Sequence, residues 1–560
     1  MSAAFIFGLL VALMLTGMPI SISLGLTVLT FVFTMTQVPL ESVALKLFTG
    51  IEKFEIMAIP FFILAGNFLT HGGVARRMIN FATALVGHWH GGLGLSGVLA
   101  CALFAAVSGS SPATVVAIGS ILLPAMVKAG FPKRFGAGVI TTSGALGILI
   151  PPSLVMVMYS VATNTSVGAL FMAGVVPGIL LAFLLGVTTW YLAWKRGYPR
   201  HPLFPERTGG QATVAGFFGL FYALVFSVVP PYVLGLALDN WLHQAGFSFF
   251  LAGLGWLLLV PWATRNRWVT RFVYLGLVVA GVPLLLTTLL AEPLGLHDSG
   301  GMLALFAGLA LIWLGIVKLS GRYTDIAPSL KFELAWEALA VWRAYWDSIW
   351  GLLLIVVVMG GIYAGLFTPT EAAAVSAVYA FFVAVFVYRD MRLRDVRKVL
   401  LSSANMSAML LYIITNAVLF SFIMANEQIP QILAEWMLNQ GLGVVTFLLM
   451  VNILLLLAGN VMEPSSIVLI MAPILFPIAM KLGVDPVHLG ILIVVNMEVG
   501  MCHPPVGLNL YVASGVTKMG ITELTIAVLP WLLTMLGFLM LVTYWPDLSL
   551  WLPRLLGMVQ

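Results

Sequence analysis

Apolar runs long enough to cross a bilayer, about 20 residues each, recur from end to end of this 560-residue chain. They predict spans at 3–18, 20–37, 54–70, 135–160, 168–193, 213–237, 246–262, 270–290, 302–318, 347–366, 371–388, 399–424, 487–513 and 521–545. Only 8% of the residues are charged, against about a quarter in soluble domains, so lipid must solvate much of the surface. The expected fold class is an all-α integral membrane protein. The N-terminus has neither the basic region nor the cleavage site of a signal peptide, so 3–18 is read as the first span. No acidic or basic tail offers nucleic acid a partner. Cys101 and Cys502 lie in apolar stretches and point to neither a disulfide nor a metal.

Two further apolar runs, 91–127 and 442–480, are too broken by Gly, Ser and Pro to be simple spans. Basic residues orient the loops: Arg76 and Arg77, Lys128 to Arg134, Lys195 to Arg207, Arg265 to Arg271, and Arg389 to Lys398. With all of these cytoplasmic, the N-terminus is periplasmic and the two broken runs are re-entrant hairpins, entering from opposite sides. Residues 74–88 and 428–440 read as amphipathic helices in the interface.

The two halves repeat. Pro124, Gly130, Gly147, Pro151, Pro152 and Pro177 pair with Pro477, Gly483, Gly500, Pro504, Pro505 and Pro530, each 353 positions on (477 − 124, 530 − 177). Glycine and proline decide where a membrane helix breaks, so a shared pattern of them implies a shared backbone path. The loop charges put the first copy and the second in opposite orientations, as in many secondary transporters.

Each copy has two interruptions. One is a hairpin tip, Ser108 to Pro112 and Gly459 to Ser466; the other is a break in the next span, Gly147 to Pro152 and Gly500 to Pro505. A Pro-Pro pair removes amide donors and frees carbonyls at mid-membrane depth, which is tolerated only where backbone lines a cavity or binds something. Free carbonyls and serine hydroxyls suit a hard monovalent cation, and the half-helices starting after the breaks turn positive dipole ends to the same place, which suits a carboxylate. The plainer reading is that Ser and Gly let helices pack closely. Glu463 is an intramembrane acid that serves as cation ligand or proton carrier, or else is a neutral acid bonded to backbone. His503 is a titratable group or a hydrogen-bonding filler. Glu371, in Phe-Thr-Pro-Thr-Glu, is expected to cap a span.

At these residues the sequence resembles the large permease subunit, DctM type, of the tripartite ATP-independent periplasmic (TRAP) transporters. The matching strings are Ser108 to Ala113, Phe367 to Val375, Pro504 to Asn509, Ile59 to Gly66 and His90 to Gly94. The resemblance implies the elevator-type fold of the ion-transporter superfamily. It further implies Na+ as coupling ion with no other cofactor or metal, import of a small organic acid such as a C4-dicarboxylate, delivery by a periplasmic binding protein, and a small four-span membrane partner in the bacterial inner membrane. Carried over, the cation ligands are Ser108, Gly109, Ser110, Gly147 and Ile150 at one site, and Met462, Glu463, Ser465, Gly500 and His503 at the other. The substrate lies between the tips, against Ser110, Ser111, Pro152, Ser153, Ser465, Ser466, Pro505 and Asn509. The chain departs from the family at His503, where Thr is usual, and at Glu463, where Asp is usual. It also carries 207–320, which reads as an inserted four-span segment able to replace or supplement the small subunit.

The expected organisation is therefore a first inverted repeat, 1–200, with hairpin 91–127 and broken span 135–160, then the insertion 207–320. An interfacial helix at 323–345 leads to the second repeat, 346–545, with hairpin 442–480 and broken span 487–513, and to a tail, 546–560. The alternative function is a stand-alone Na+- or H+-coupled carboxylate symporter of the same superfamily. No His-Glu-x-x-His or Gly-x-Ser-x-Gly string supports an enzyme.

Overall fold

A computed structural model describes residues 2–198 and 327–559, except 17, 37, 50, 51, 88, 430, 433, 434, 436–438, 440–442, 461, 505 and 506. The segment 207–320, and most of the helix expected at 428–440, lie outside the described residues. One compact unit comprises Met1–Thr83, Trp89–His201 and Trp346–Gln560, and the second unit is 84–88 with 202–345. All that follows concerns the first unit.

Among the described residues eight helices are long and apolar enough to cross a membrane. The chain begins with α1 (Ser2–Leu15), α2 (Ile20–Met35), α3 (Leu40–Thr49), α4 (Ala58–His71) and the amphipathic α5 (Val74–Val86). The first hairpin is α6 (Gly92–Ser108) and α7 (Ser111–Lys128), and the broken span is α8 (Lys133–Gly144), a 3-10 turn (Ala145–Ile148) and α9 (Leu154–Thr163), followed by α10 (Val167–Lys195). After α11 (Ala327–Tyr363) come α12 (Pro369–Phe382) and α13 (Leu393–Asn426). The second hairpin is α14 (Val444–Gly459) and α15 (Pro464–Lys481), and its broken span is α16 (Pro486–Cys502) and α17 (Leu508–Thr517). The chain closes with α18 (Ile521–Tyr544) and α19 (Asp547–Leu555).

The 353-residue register reappears in the helix ends. Ser111 and Lys128 bound α7, and Pro464 and Lys481 bound α15; Lys133 opens α8 and Pro486 opens α16. Gly130 and Gly483 are both left-handed, at φ +87° and +77°, and end the corresponding hairpin arms. In each copy the hydrogen-bond ladder stops at the double proline and resumes with a new helix. The first restart is capped by Ser153, whose Oγ accepts from the Met156 N–H at 3.4 Å.

Three expectations are corrected. The interfacial helix expected at 323–345 and the span after it are one continuous helix, α11. α13 runs on through Arg394, Arg397 and Lys398, because charged residues in the first turns of a helix sit in water without ending it. The expected tail 546–560 contains α19, which packs on α10 and α16; its Ser549 meets His488 Nδ1 at 2.8 Å.

α4 runs along α12, and α13 crosses α2, α3 and α4. The entry to α12 follows the expected cap. Thr368 N–H donates to Glu371 Oε2 at 2.8 Å, and Glu371 N–H donates to Thr368 Oγ1 at 3.3 Å, so both orphan donors are satisfied. Thr368→Ala is expected to cost about 1 kcal/mol, read as a lower melting temperature of the purified protein; an unchanged melting point would show that the cap carries no stability. On one face Arg76 (3.2 Å) and Arg77 both pair with Asp390. At the N-terminal end of α4, Lys53 Nζ donates to Val161 O at 2.5 Å and to Asn164 Oδ1 at 2.7 Å, at the far end of α9.

Candidate cation and substrate site

The broken spans interlock. α8 packs on its own hairpin, α6 and α7, whereas α9, beyond the break, packs on α15 of the other hairpin. Likewise α16 packs on α14 and α15, and α17 packs on α7. A straight helix would touch one hairpin; the double prolines let each span touch both, which brings the two tips and two breaks together.

Bare backbone makes these contacts. A Cβ on Gly147 would lie 2.7 Å from the Ser110 carbonyl and 2.8 Å from Ser111 Cα. Gly109, left-handed at φ +60°, turns the first tip, and a Cβ there would lie 2.8 Å from Pro152 O. In the second copy Gly459 and Gly500 press together, each Cβ falling 3.0–3.1 Å from the other's Cα. The carbonyl of Leu149, freed by the first break, lies against Gly174 of α10, where a Cβ would stand 2.7 Å away.

At the first tip most hydroxyls are spent locally. Ser108 Oγ meets Thr114 Oγ1 at 3.0 Å, Thr114 Oγ1 donates to Ser110 O at 2.9 Å, and Ser111 Oγ donates to Gly144 O at 2.9 Å. Ser153 is held as the cap of α9. Ile150 lies in the break, its N–H donating to Leu146 O at 3.1 Å. Asn509, on α17, donates from Nδ2 to Ser111 Oγ at 2.7 Å and so ties the second break to the first tip.

The second tip is different. Glu463 precedes α15 with no cap bond from its side chain. Glu463 Oε1 and Ser466 Oγ are both buried without a hydrogen-bond partner. Unpartnered acceptors in a buried site fit a small cation, because an orphaned polar atom otherwise costs about 1–3 kcal/mol. Met462 and Ser465 flank them, half-buried. His503 follows α16, its Nδ1 meeting Asn460 Oδ1 at 3.1 Å. Pro505 lies outside the described residues. α7 and α15 both begin at these tips with proline in the first turn, presenting helix N-termini that suit an anion.

Thr114, Asn460 and Glu498 were not among the residues expected here. Glu498, a lone acid in the apolar run of α16, could have been found by the rule that singled out Glu463: an acid at membrane depth has a job.

The family model described as "Tripartite ATP-independent periplasmic transporter, DctM component" matches residues 7–281 and 266–548. The chain belongs to this family. It is 60% identical to the C4-dicarboxylate TRAP transporter large permease protein DctM of Rhodobacter capsulatus, over 100% of both chains. The same-named protein of Pseudomonas aeruginosa is 43% identical, over 96% of this chain and 95% of that one. The isethionate TRAP transporter permease protein DctMQ of Oleidesulfovibrio alaskensis is 32% identical over 97% of this chain, which spans 65% of that longer protein. The permease is thus a multi-pass subunit of a TRAP secondary transporter. Since the Rhodobacter match leaves out no part of either chain, 207–320 has a counterpart in a relative named as a large permease.

Proposed function

We propose that the permease imports a small organic acid of the C4-dicarboxylate kind across the bacterial inner membrane, in symport with Na+, from a periplasmic binding protein. The observation that carries the cation is the orphaned pair Glu463 Oε1 and Ser466 Oγ, beside a break held open by Gly459 and Gly500. The substrate class follows from the relatives' names together with two helix N-termini at tips that bear no Lys or Arg. The hairpins and broken spans move as a block against α1–α5 and α11–α13; cation binding orders the second tip and so completes the anion site between the tips. A small four-span subunit joins the scaffold, supplemented by 207–320. If deleting 207–320 leaves uptake intact, that supplementary role is wrong.

The test is succinate uptake into proteoliposomes holding the permease and its small subunit, with binding protein outside. An inward Na+ gradient should drive uptake that K+ cannot. Uptake without binding protein would favour the stand-alone symporter, and uptake indifferent to Na+ would remove sodium coupling. A second measurement needs no substrate. At Na+ one hundred times its Kd, binding stabilises the folded protein by about 2.7 kcal/mol, seen as a higher melting temperature in Na+ than in K+ at constant ionic strength. Glu463→Gln should lose most of that difference; if it keeps all of it, Glu463 is no ligand.

A further inference from the structure

α16 carries Glu498 fully buried, at 0% exposure, with neither carboxyl oxygen in reach of a hydrogen-bond partner. It stands 12 residues after Pro486, roughly 18 Å along the helix, near the middle of a hydrocarbon layer about 30 Å thick. Its twin in the first repeat is Ala145 (498 − 353), also fully buried. The same slot is thus filled by a methyl group in one copy and by an acid in the other, so packing does not call for the carboxyl.

One turn on from Glu498 is Cys502, which faces it. The Cys502 thiol donates to Thr141 O at 3.5 Å and lies 3.8 Å from Asn509 Nδ2. The Asn509 amide is oriented by its neighbour. Ser111 gives its hydroxyl hydrogen to Gly144 O, so it can only accept, and Asn509 must offer its NH2. That leaves Asn509 Oδ1 buried with no partner. Around one thiol there are thus a carboxyl with two unused oxygens, an amide oxygen also unused, and the Thr141 carbonyl. Acceptors outnumber donors, and no protein cation is near: Lys195, Lys481, Lys518 and Arg554, on elements packed against α16, are exposed at helix ends.

We propose that Glu498 and Asn509 hold a monovalent cation between the two repeats, at a site separate from the second tip. Thr141 O adds a carbonyl ligand from α8, and the Glu498 carboxylate balances the charge. An unpaired carboxylate in such surroundings is strongly destabilising, and a small cation satisfies all the unused oxygens at once. The site joins α16 and α17 to α8 and, through Ser111, to the first tip, so its occupant fixes how the repeats meet. Its service as a coupling ion rests on the Na+-symport reading; its existence does not.

The experiment is equilibrium binding of radioactive Na+ to the purified permease without substrate, beside Na+-driven succinate uptake. Glu498→Gln should bind one ion fewer per chain than wild type while retaining the ion lost in Glu463→Gln, and the double variant should lose both. Glu498→Ala, which copies the Ala145 twin, should show the same loss should the glutamine variant fail to fold. Unchanged stoichiometry and affinity in Glu498→Gln, as for a carboxyl that holds only a proton, would overturn the site and leave sodium coupling standing. Loss of one ion with Na+-independent uptake would keep the site and overturn coupling; no Na+ bound by wild type would overturn both.

Discussion

Gly147→Ala is expected to cut uptake about tenfold to a hundredfold while Gly515→Ala leaves it unchanged. The added methyl at Gly147 would stand 2.7 Å from the Ser110 carbonyl. Every atom it meets is backbone of the first tip, and none can rotate away. Overpacking of this kind costs about 1–3 kcal/mol, and about 1.4 kcal/mol is a factor of ten. The cost falls on the contact between tip and break, so it should appear in transport more than in melting temperature. Gly515, on α17, has nothing within 4 Å of an added methyl, so its alanine variant gains only helix propensity. Equal uptake by the two variants would show that tip and break are not held together by bare backbone.

The second large effect is on stability. Trp531 of α18 is 1% exposed, its indole N–H donates to Thr189 Oγ1 at 2.9 Å, and its ring lies 5.6 Å from Phe135, tilted by 60°. It wedges the last long helix of the second repeat between α8 and α10 of the first. Gly138 makes room for it: a Cβ there would lie 2.6 Å from the ring. Trp531→Ala should cost about 3–5 kcal/mol, a marked fall in melting temperature in detergent. Trp531→Phe should recover most of this, because Thr189 keeps its own bond to Leu185 O at 2.7 Å. A melting point for the alanine variant within the error of wild type would mean that the wedge bears no load.

The repeat was legible in the sequence because helix ends in a membrane are set by local chemistry. Proline at 112, 464 and 486 starts a helix, glycine at 130 and 483 ends one, and both act through their own backbone. The interlock was not legible: that α9 meets α15 and α17 meets α7 is a tertiary fact, and Pro-Pro states only that the path turns. The same limit applies to the serines. Ser111 and Ser153 read as ligands by residue type, yet Ser111 bonds Gly144 O, 33 residues on, and Ser153 caps its own helix. Glu463 and Ser466, by contrast, stayed unspent. The docking of α19 through Ser549 and His488 joins residues 61 apart, beyond any local pattern.

Lys53 gives the molecule a catch. Its ammonium grips the last carbonyl groups of α9 from the end of α4, which runs beside α12. Burial pushes this lysine below the ordinary range despite Glu55 nearby. If α9 travels with the hairpins and α4 stays behind, both bonds must part at the start of every stroke. Water at that half-exposed edge takes up the ammonium as it lets go, so most of the bonding is replaced. The grip then acts as a detent, firm enough to define a resting position and loose enough to be released on each cycle.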